Sequence, residues 1–168
     1  GITIFSKQAA FSLPTRHIAL LDTPGHVDFS SEAERTLQVL DYAILVVSGT
    51  DGVQGHTQTL WRLLARYQVP TFLFVNKMDL PGPGKEALME QLRRLLGSGC
   101  VDFSSPGEEW MEEAALCDEE LMERYLSTGL VEDGDAAALI AGRQLFPCYF
   151  GSGLRLEGAD QLPEGLGR

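Results

Sequence analysis

Two short stretches hold residues whose types and spacing could do chemistry. Asp22-Thr23-Pro24-Gly25-His26 directly follows the apolar run Ile18-Ala19-Leu20-Leu21. That order reads as the carboxyl end of a buried strand turning into a loop, the edge at which open α/β sheets bind ligands. A carboxylate there can hold Mg²⁺, directly or through water, because that ion takes one or two carboxylates and completes its shell with phosphate and water. A glycine three residues on lets a backbone N–H approach a phosphate oxygen with no Cβ in the way. Taken alone, the stretch is also an ordinary Pro-Gly turn. The second stretch, Asn76-Lys77-Met78-Asp79, ends another apolar run, Thr71-Phe72-Leu73-Phe74-Val75. A polar loop thus follows a strand-like run twice.

The pattern around these stretches predicts the elements that position them. Residues 2 to 11 alternate loosely, Leu13-Pro14-Thr15 is a turn, and His17 to Leu21 returns, which makes a hairpin at one side of the sheet. Phe29, Ala33, Leu37 and Leu40 have helical spacing over Asp28 to Leu40, with Ser30, Ser31 and Glu32 near the start. Tyr42 to Val47 is a continuous apolar run, expected as a central parallel strand buried on both faces. Helices follow over Thr57 to Tyr67 and Ala87 to Leu96, the second after the breaker Pro81-Gly82-Pro83-Gly84. An acidic helix is predicted over Glu108 to Leu126, with Trp110, Leu116, Leu121 and Tyr125 as anchors and its charges solvated. A further helix covers Ala136 to Gln144, and a last strand Leu145 to Phe150. The β-α-β-α-β alternation implies an α/β fold with a parallel doubly wound sheet and right-handed crossovers.

D-x-x-G followed, one strand-and-helix unit later, by N-K-x-D resembles the P-loop GTPases. Gly1-Ile2-Thr3-Ile4, the run D-T-P-G-H-V-D from Asp22 to Asp28, and Asn76 to Asp79 narrow the likeness to the GTPase domain of translation factors. Elongation factor G and the tetracycline-resistance ribosomal protection proteins are the members it resembles, and Phe146 to Gly153 fits that subgroup. The resemblance implies a GTPase-type parallel sheet with helices on both faces and a short, mostly helical insertion before the last strand. It implies GTP/GDP and Mg²⁺ as ligands. Thr3 and, through water, Asp22 would hold the metal, and the Gly25 N–H the terminal phosphate. His26 would position the attacking water. Asp79 would accept from the N1–H and N2–H₂ donors of guanine, a pair that adenine lacks. Asn76 would tie the loops together and approach N7, the Lys77 stem would cover one face of the base, and Ser152 with the Gly153 N–H would meet O6. The family carries Ala where this chain has Gly153.

The resemblance also implies a first strand and a G-x-x-x-x-G-K-[ST] phosphate loop ahead of Gly1. Gly82-Pro83-Gly84-Lys85 is the only similar spot, with the wrong spacing and no preceding strand. The chain is therefore expected to be a piece of a longer polypeptide. Residues 1–160 would form a partial GTPase domain, with a helix and the insertion over 80–144, and 161–168 a frayed tail. The intact protein would hydrolyse GTP on the ribosome, and these residues alone would be inactive. Two other readings are a guanine-nucleotide-binding regulatory module with little hydrolysis and a purely structural α/β interaction domain. Intact Asp79 and His26 disfavour both.

Composition bounds these expectations. The chain has 168 residues, 44% hydrophobic and 22% charged, enough for one domain with a real core. No apolar run of about 18 residues exists to span a membrane, and no signal peptide is visible. The three cysteines, Cys100, Cys117 and Cys148, have no metal-ligand spacing and cannot all pair, which suits a reduced, cytoplasmic protein. A net charge of -11 argues against direct DNA binding. It sits uneasily with a ribosomal partner unless the acid of Glu108 to Glu123 faces away or other domains make the basic contacts.

Overall fold

A computed structural model describes residues 7–12, 17–22, 35–105 and 107–158. The Leu13-Pro14-Thr15 turn, most of the helix expected from Asp28 and the tail beyond Gly158 lie outside these residues. Two strands, β1 (Lys7–Ser12) and β2 (His17–Asp22), pair antiparallel with Lys7 opposite Asp22, the hairpin expected from the alternation. The second sheet has four parallel strands in the order β3-β4-β6-β5. They are β3 (Ala43–Ser48), β4 (Thr71–Asn76), β5 (Cys100–Asp102) and β6 (Phe146–Phe150). Among the described residues, five full helices connect or cover them: α1 (Gly55–Arg66), α2 (Lys85–Leu95), α3 (Glu109–Ala115), α4 (Glu119–Thr128) and α5 (Asp133–Ala141). Residues 35–37 are also helical.

The period-2 alternation of β4 divides the core in two. Leu73 and Val75 point to one cluster with Val47, Trp61, Leu64, Leu88, Leu92 and Cys148, so α1 and α2 cover that face. Phe72 and Phe74 point to the other, with Trp110, Ala114, Leu121, Leu139, Ile140 and Tyr149, so α3, α4 and α5 cover the opposite face. Because both faces are covered, Thr71 to Val75 are all buried and the strand reads as a continuous apolar run rather than an alternating one.

The structure corrects four expectations. The run from Tyr42 was expected as a central strand buried on both faces, but β3 pairs only with β4 among the described residues, and Val46 is 56% exposed. Aliphatic composition alone does not separate a central strand from an edge strand. β5 was not foreseen. It is three residues long and follows Gly97-Ser98-Gly99, too short for periodicity to register. The single acidic helix is two helices. Asp118 has extended backbone, φ -149° and ψ 130°, and its carboxylate accepts the Leu121 N–H at 2.9 Å, an N-cap that starts α4 anew. Glu119 and Glu120 then sit favourably at the positive helix start. Leu116 falls in the break and is 69% exposed, so it is no anchor, whereas Trp110 and Leu121 are buried. Glu108, Glu109, Glu112, Glu119, Glu120 and Glu123 face solvent, the solvated acidic surface expected of this run.

At the end of the parallel sheet opposite the loops that follow β4 and β6, Arg143 fastens the strand starts. Its guanidinium donates to the Val69 carbonyl and, at 2.9 Å, to Thr71 Oγ1. It also lies 5.1 Å from the centroids of both Trp61 and Phe146, so it joins α1, β4 and β6. Burial holds its pKa below the ordinary arginine value. Arg143→Ala removes these contacts, although the Thr71 hydroxyl still donates to the Val69 carbonyl at 2.9 Å. The expected loss is about 1.5–3 kcal/mol, the scale of hydrogen bonds from a charged group. Urea unfolding measures it; an unchanged midpoint would show that the clamp is dispensable.

Candidate functional site

The carboxyl ends of β4 and β6 are neighbours because the two strands pair in parallel, with Val75 opposite Phe150. Their following loops are therefore side by side, and backbone hydrogen bonds join them. Gly151 N–H donates to the Val75 carbonyl and Met78 N–H to the Gly151 carbonyl, both at 3.0 Å. The Asn76 side chain completes the join. Its Oδ1 accepts the Lys77 N–H and the Gly153 N–H, each at 2.8 Å. Two N–H donors converging on one atom identify it as the carboxamide oxygen. Lys77 is held at φ 67°, an uncommon region for a residue with a Cβ. Such backbone is retained where the surroundings impose it, and here the Asn76 bond and the Met78–Gly151 bond flank it.

This arrangement presents Asp79. Its side chain is only 6% exposed. The Ser152 hydroxyl, its own N–H and the nearby Arg155 cation hold its carboxyl below the usual carboxylate range, against the opposing effect of burial. It is therefore an ionised acceptor set in a sheltered position. Arg155 Nε lies 3.5 Å from Asp79 Oδ2. The loop carrying Arg155 is closed by reciprocal backbone bonds, Ser152 N–H to the Glu157 carbonyl at 2.9 Å and Glu157 N–H to the Ser152 carbonyl at 3.1 Å. A Cβ at Gly151 would lie 2.1 Å from the Glu157 carbonyl oxygen, so only glycine allows that closure. At Gly153 a Cβ would meet nothing nearer than Asn76 Oδ1 at 3.5 Å, so the family's alanine would fit there without displacing the join.

Behind the loops, Lys85 steadies the end of β6. Its Nζ is 2.5 Å from Asp102 Oδ2 and 5.3 Å from the Phe150 ring centroid. Burial pushes the Asp102 carboxyl up, but Lys85, Ser104 and Ser105 outweigh it and leave the pKa below its ordinary value. The sequence showed Lys85 only within a mis-spaced Gly-Pro-Gly-Lys run, and its pattern did not single out Asp102 or Arg155. A cation three residues after Ser152 was the one available signal for Arg155.

Beside Asn76 and Lys77, a cavity of about 510 Å³ opens between the carboxyl ends of β3 and β4, lined by Ser48, Asp51, Gln54, His56, Asn76 and Lys77 among others. Its size is that of a small-molecule site. Asp51 belongs to it and was not foreseen. The hydroxyls of Ser48 and Thr50 donate to its carboxylate at 2.7 and 3.0 Å and hold its pKa down, Ser48 foremost. A larger cavity of about 1180 Å³ lies between the hairpin and β3, among Ile18, Leu20, Ile44, Leu45, Phe72 and Tyr149. It is mainly aliphatic and aromatic and includes none of Asn76, Lys77, Asp79 or Ser152, so size does not make it the polar site.

Of the expected site residues, the structure brings Asn76, Lys77, Asp79, Ser152 and Gly153 together. Asp22 is an exposed residue at the carboxyl end of β2. One exposed carboxylate suits Mg²⁺, which draws few ligands from protein and the rest from phosphate and water. Among the described residues, no three His, Cys, Asp or Glu side chains form a metal cluster. Thr3, Gly25 and His26 lie outside the described residues. Among the described residues, no helix is long and apolar enough to cross a membrane, and Cys100, Cys117 and Cys148 are free thiols.

Known proteins resemble this chain over part or nearly all of its length. The tetracycline resistance protein TetM of Streptomyces lividans is 36% identical over 185 residues, covering 99% of this chain and 29% of that protein. The oxytetracycline resistance protein of Streptomyces rimosus is 36% identical over 192 residues, with the same coverage of 99% and 29%. Elongation factor G of Rhodopirellula baltica is 48% identical over 98 residues, 58% of this chain and 14% of that protein. A crystal structure of a Thermus thermophilus protein superposes with a TM-score of 0.83 at 25% identity, over 97% of this chain and 31% of that one. The chain thus spans about 29% of the length of the resistance proteins it matches. The sequence pattern described as "Elongation factor Tu GTP binding domain" matches residues 1–167, and the chain belongs to that family.

Proposed function

We propose that this domain binds GTP and GDP through the joined loops of β4 and β6. Within a longer polypeptide it would hydrolyse GTP on the ribosome, as a factor of the elongation factor G or ribosomal protection type. The observation that carries the base-binding part is the ionised, sheltered Asp79 between Ser152 and the loop that Asn76 fastens. Guanine presents N1–H and N2–H₂ side by side, and one carboxylate accepts both. A site whose buried acceptor needs that pair rejects adenine, which would leave the charge unsatisfied. The Ser152–Gly153 segment would face O6 from the other side. The exposed Lys77 would lay its stem along the base.

The phosphate side of the reading rests on sequence. Gly25 would offer its N–H to the terminal phosphate, and Thr3 and Asp22 would hold Mg²⁺, which when bound neutralises charge on the phosphates. His26 would orient the attacking water. Charge neutralisation and positioning are what phosphoryl transfer requires. Release of Thr3 and Gly25 after hydrolysis would relax their loops and report the event to the ribosome. The proposal for the whole protein is supported by the family of this domain and by the names of its relatives.

Two substitutions in the full-length gene product test the halves separately. Asp79→Asn should weaken GTP and favour xanthosine triphosphate, because xanthine has a carbonyl where guanine has its amine and an Asn amide donates to it. Competition binding with both nucleotides measures this, and an unchanged GTP preference would remove Asp79 from the base site. His26→Ala should leave GTP affinity near wild type and lower ribosome-stimulated turnover by about 10²-fold or more, the scale of a general acid–base or positioning group. Equal turnover would leave His26 without a role in the chemical step.

A further inference from the structure

Building on the reading of Asp79 as the guanine acceptor, we propose that Arg155 occupies the Asp79 carboxylate in the nucleotide-free protein and must withdraw before the base docks. Arg155 is thus a gate on nucleotide entry. A guanidinium and the edge of guanine share a chemistry: each is planar and offers adjacent N–H donors that one carboxylate can accept. Both cannot use the same carboxylate face at once.

The geometry of the pair suits displacement. Arg155 Nε lies 3.5 Å from Asp79 Oδ2, beyond a normal hydrogen-bond length, so charge rather than a short bond holds it. The two partners differ sharply in exposure, 59% for the Arg155 side chain and 6% for that of Asp79. The cation can leave into water at little cost, while the carboxylate cannot follow it. The backbone stays in place when the side chain moves. Arg155 N–H donates to Ser152 Oγ at 3.3 Å, and the Ser152–Glu157 bonds close the loop independently of the guanidinium. The pair also gives a sheltered negative charge its counter-charge.

Stopped-flow binding of a fluorescent GDP, with Mg²⁺, to the full-length gene product separates association from dissociation. Arg155→Ala should speed association by about 2- to 5-fold, the equivalent of an exposed ion pair, and leave dissociation unchanged. High salt should shrink the difference by screening the pair in the wild type. Arg155→Gln, which keeps most of the stem on the loop, should behave in the same way and guards against an effect of truncation alone. In an Asp79→Asn background the Arg155 substitution should have no effect, because the cation has lost its partner. Unchanged association, or faster dissociation with weaker binding, would overturn the gate and make Arg155 an ordinary contact of the bound nucleotide or no contact. Asp79→Asn alone isolates the underlying reading: if that variant binds GDP as the wild type does, Asp79 is not the base acceptor and the gate falls with it.

Discussion

One carboxamide oxygen holds the polar site in shape. Asn76 Oδ1 takes the N–H of the next residue and the N–H of Gly153, 77 positions later in the chain. The first bond turns the chain sharply after β4 and supports Lys77 in left-handed backbone. The second draws the β6 loop across, so that Ser152 meets Asp79. Without Asn76, two N–H groups lose their acceptor, and about 1–3 kcal/mol of backbone strain at Lys77 loses one of its supports. The sheltered carboxylate and its hydroxyl partner are set by this join.

The sheet makes the join possible. Parallel pairing of β4 with β6 brings two carboxyl ends to one edge, and the two cores on either face of β4 fix that edge. At the far end Arg143 secures the strand starts, and behind the site Lys85 ties Asp102 and Phe150 together. Asp79 and Asp102 both lie below their usual carboxylate range, and donors outweigh burial at each. Their settings differ in use. Asp102 is enclosed by Lys85 and two serines of its own loop, whereas the cation facing Asp79 is exposed and replaceable.

Much of this architecture is legible in the chain. Apolar runs ending in D-T-P-G, N-K-M-D and G-S-G mark strand ends, and helical spacing marks α1 and α2, because a covered parallel sheet imposes long-range burial on local sequence. What sequence missed was short or relational. β5 is three residues of strand between loops. The break between α3 and α4 depends on the Asp118 cap, one acidic residue among many. The edge position of β3 depends on which strands neighbour it, and its own aliphatic residues do not encode that. The Asn76–Gly153 bond and the Arg155–Asp79 pair join segments that only the fold brings together. Asn76, Lys77, Asp79, Ser152 and Gly153 were marked by their motifs, and their convergence is a property of the β4–β6 pairing.

The direct test that Asp79 reads guanine from this fastened loop needs no substitution. Calorimetric titration of the full-length gene product with GDP, inosine diphosphate and ADP in the presence of Mg²⁺ compares three bases that differ at the edge facing the carboxylate. Inosine lacks the exocyclic amine, so it forfeits one hydrogen bond to a charged acceptor. It should bind about 10- to 100-fold more weakly than GDP, and ADP, which lacks both donors, should bind more weakly still. Equal affinity for GDP and inosine diphosphate would mean that Asp79 does not receive the amine, and would contradict the assignment of these loops as the guanine site.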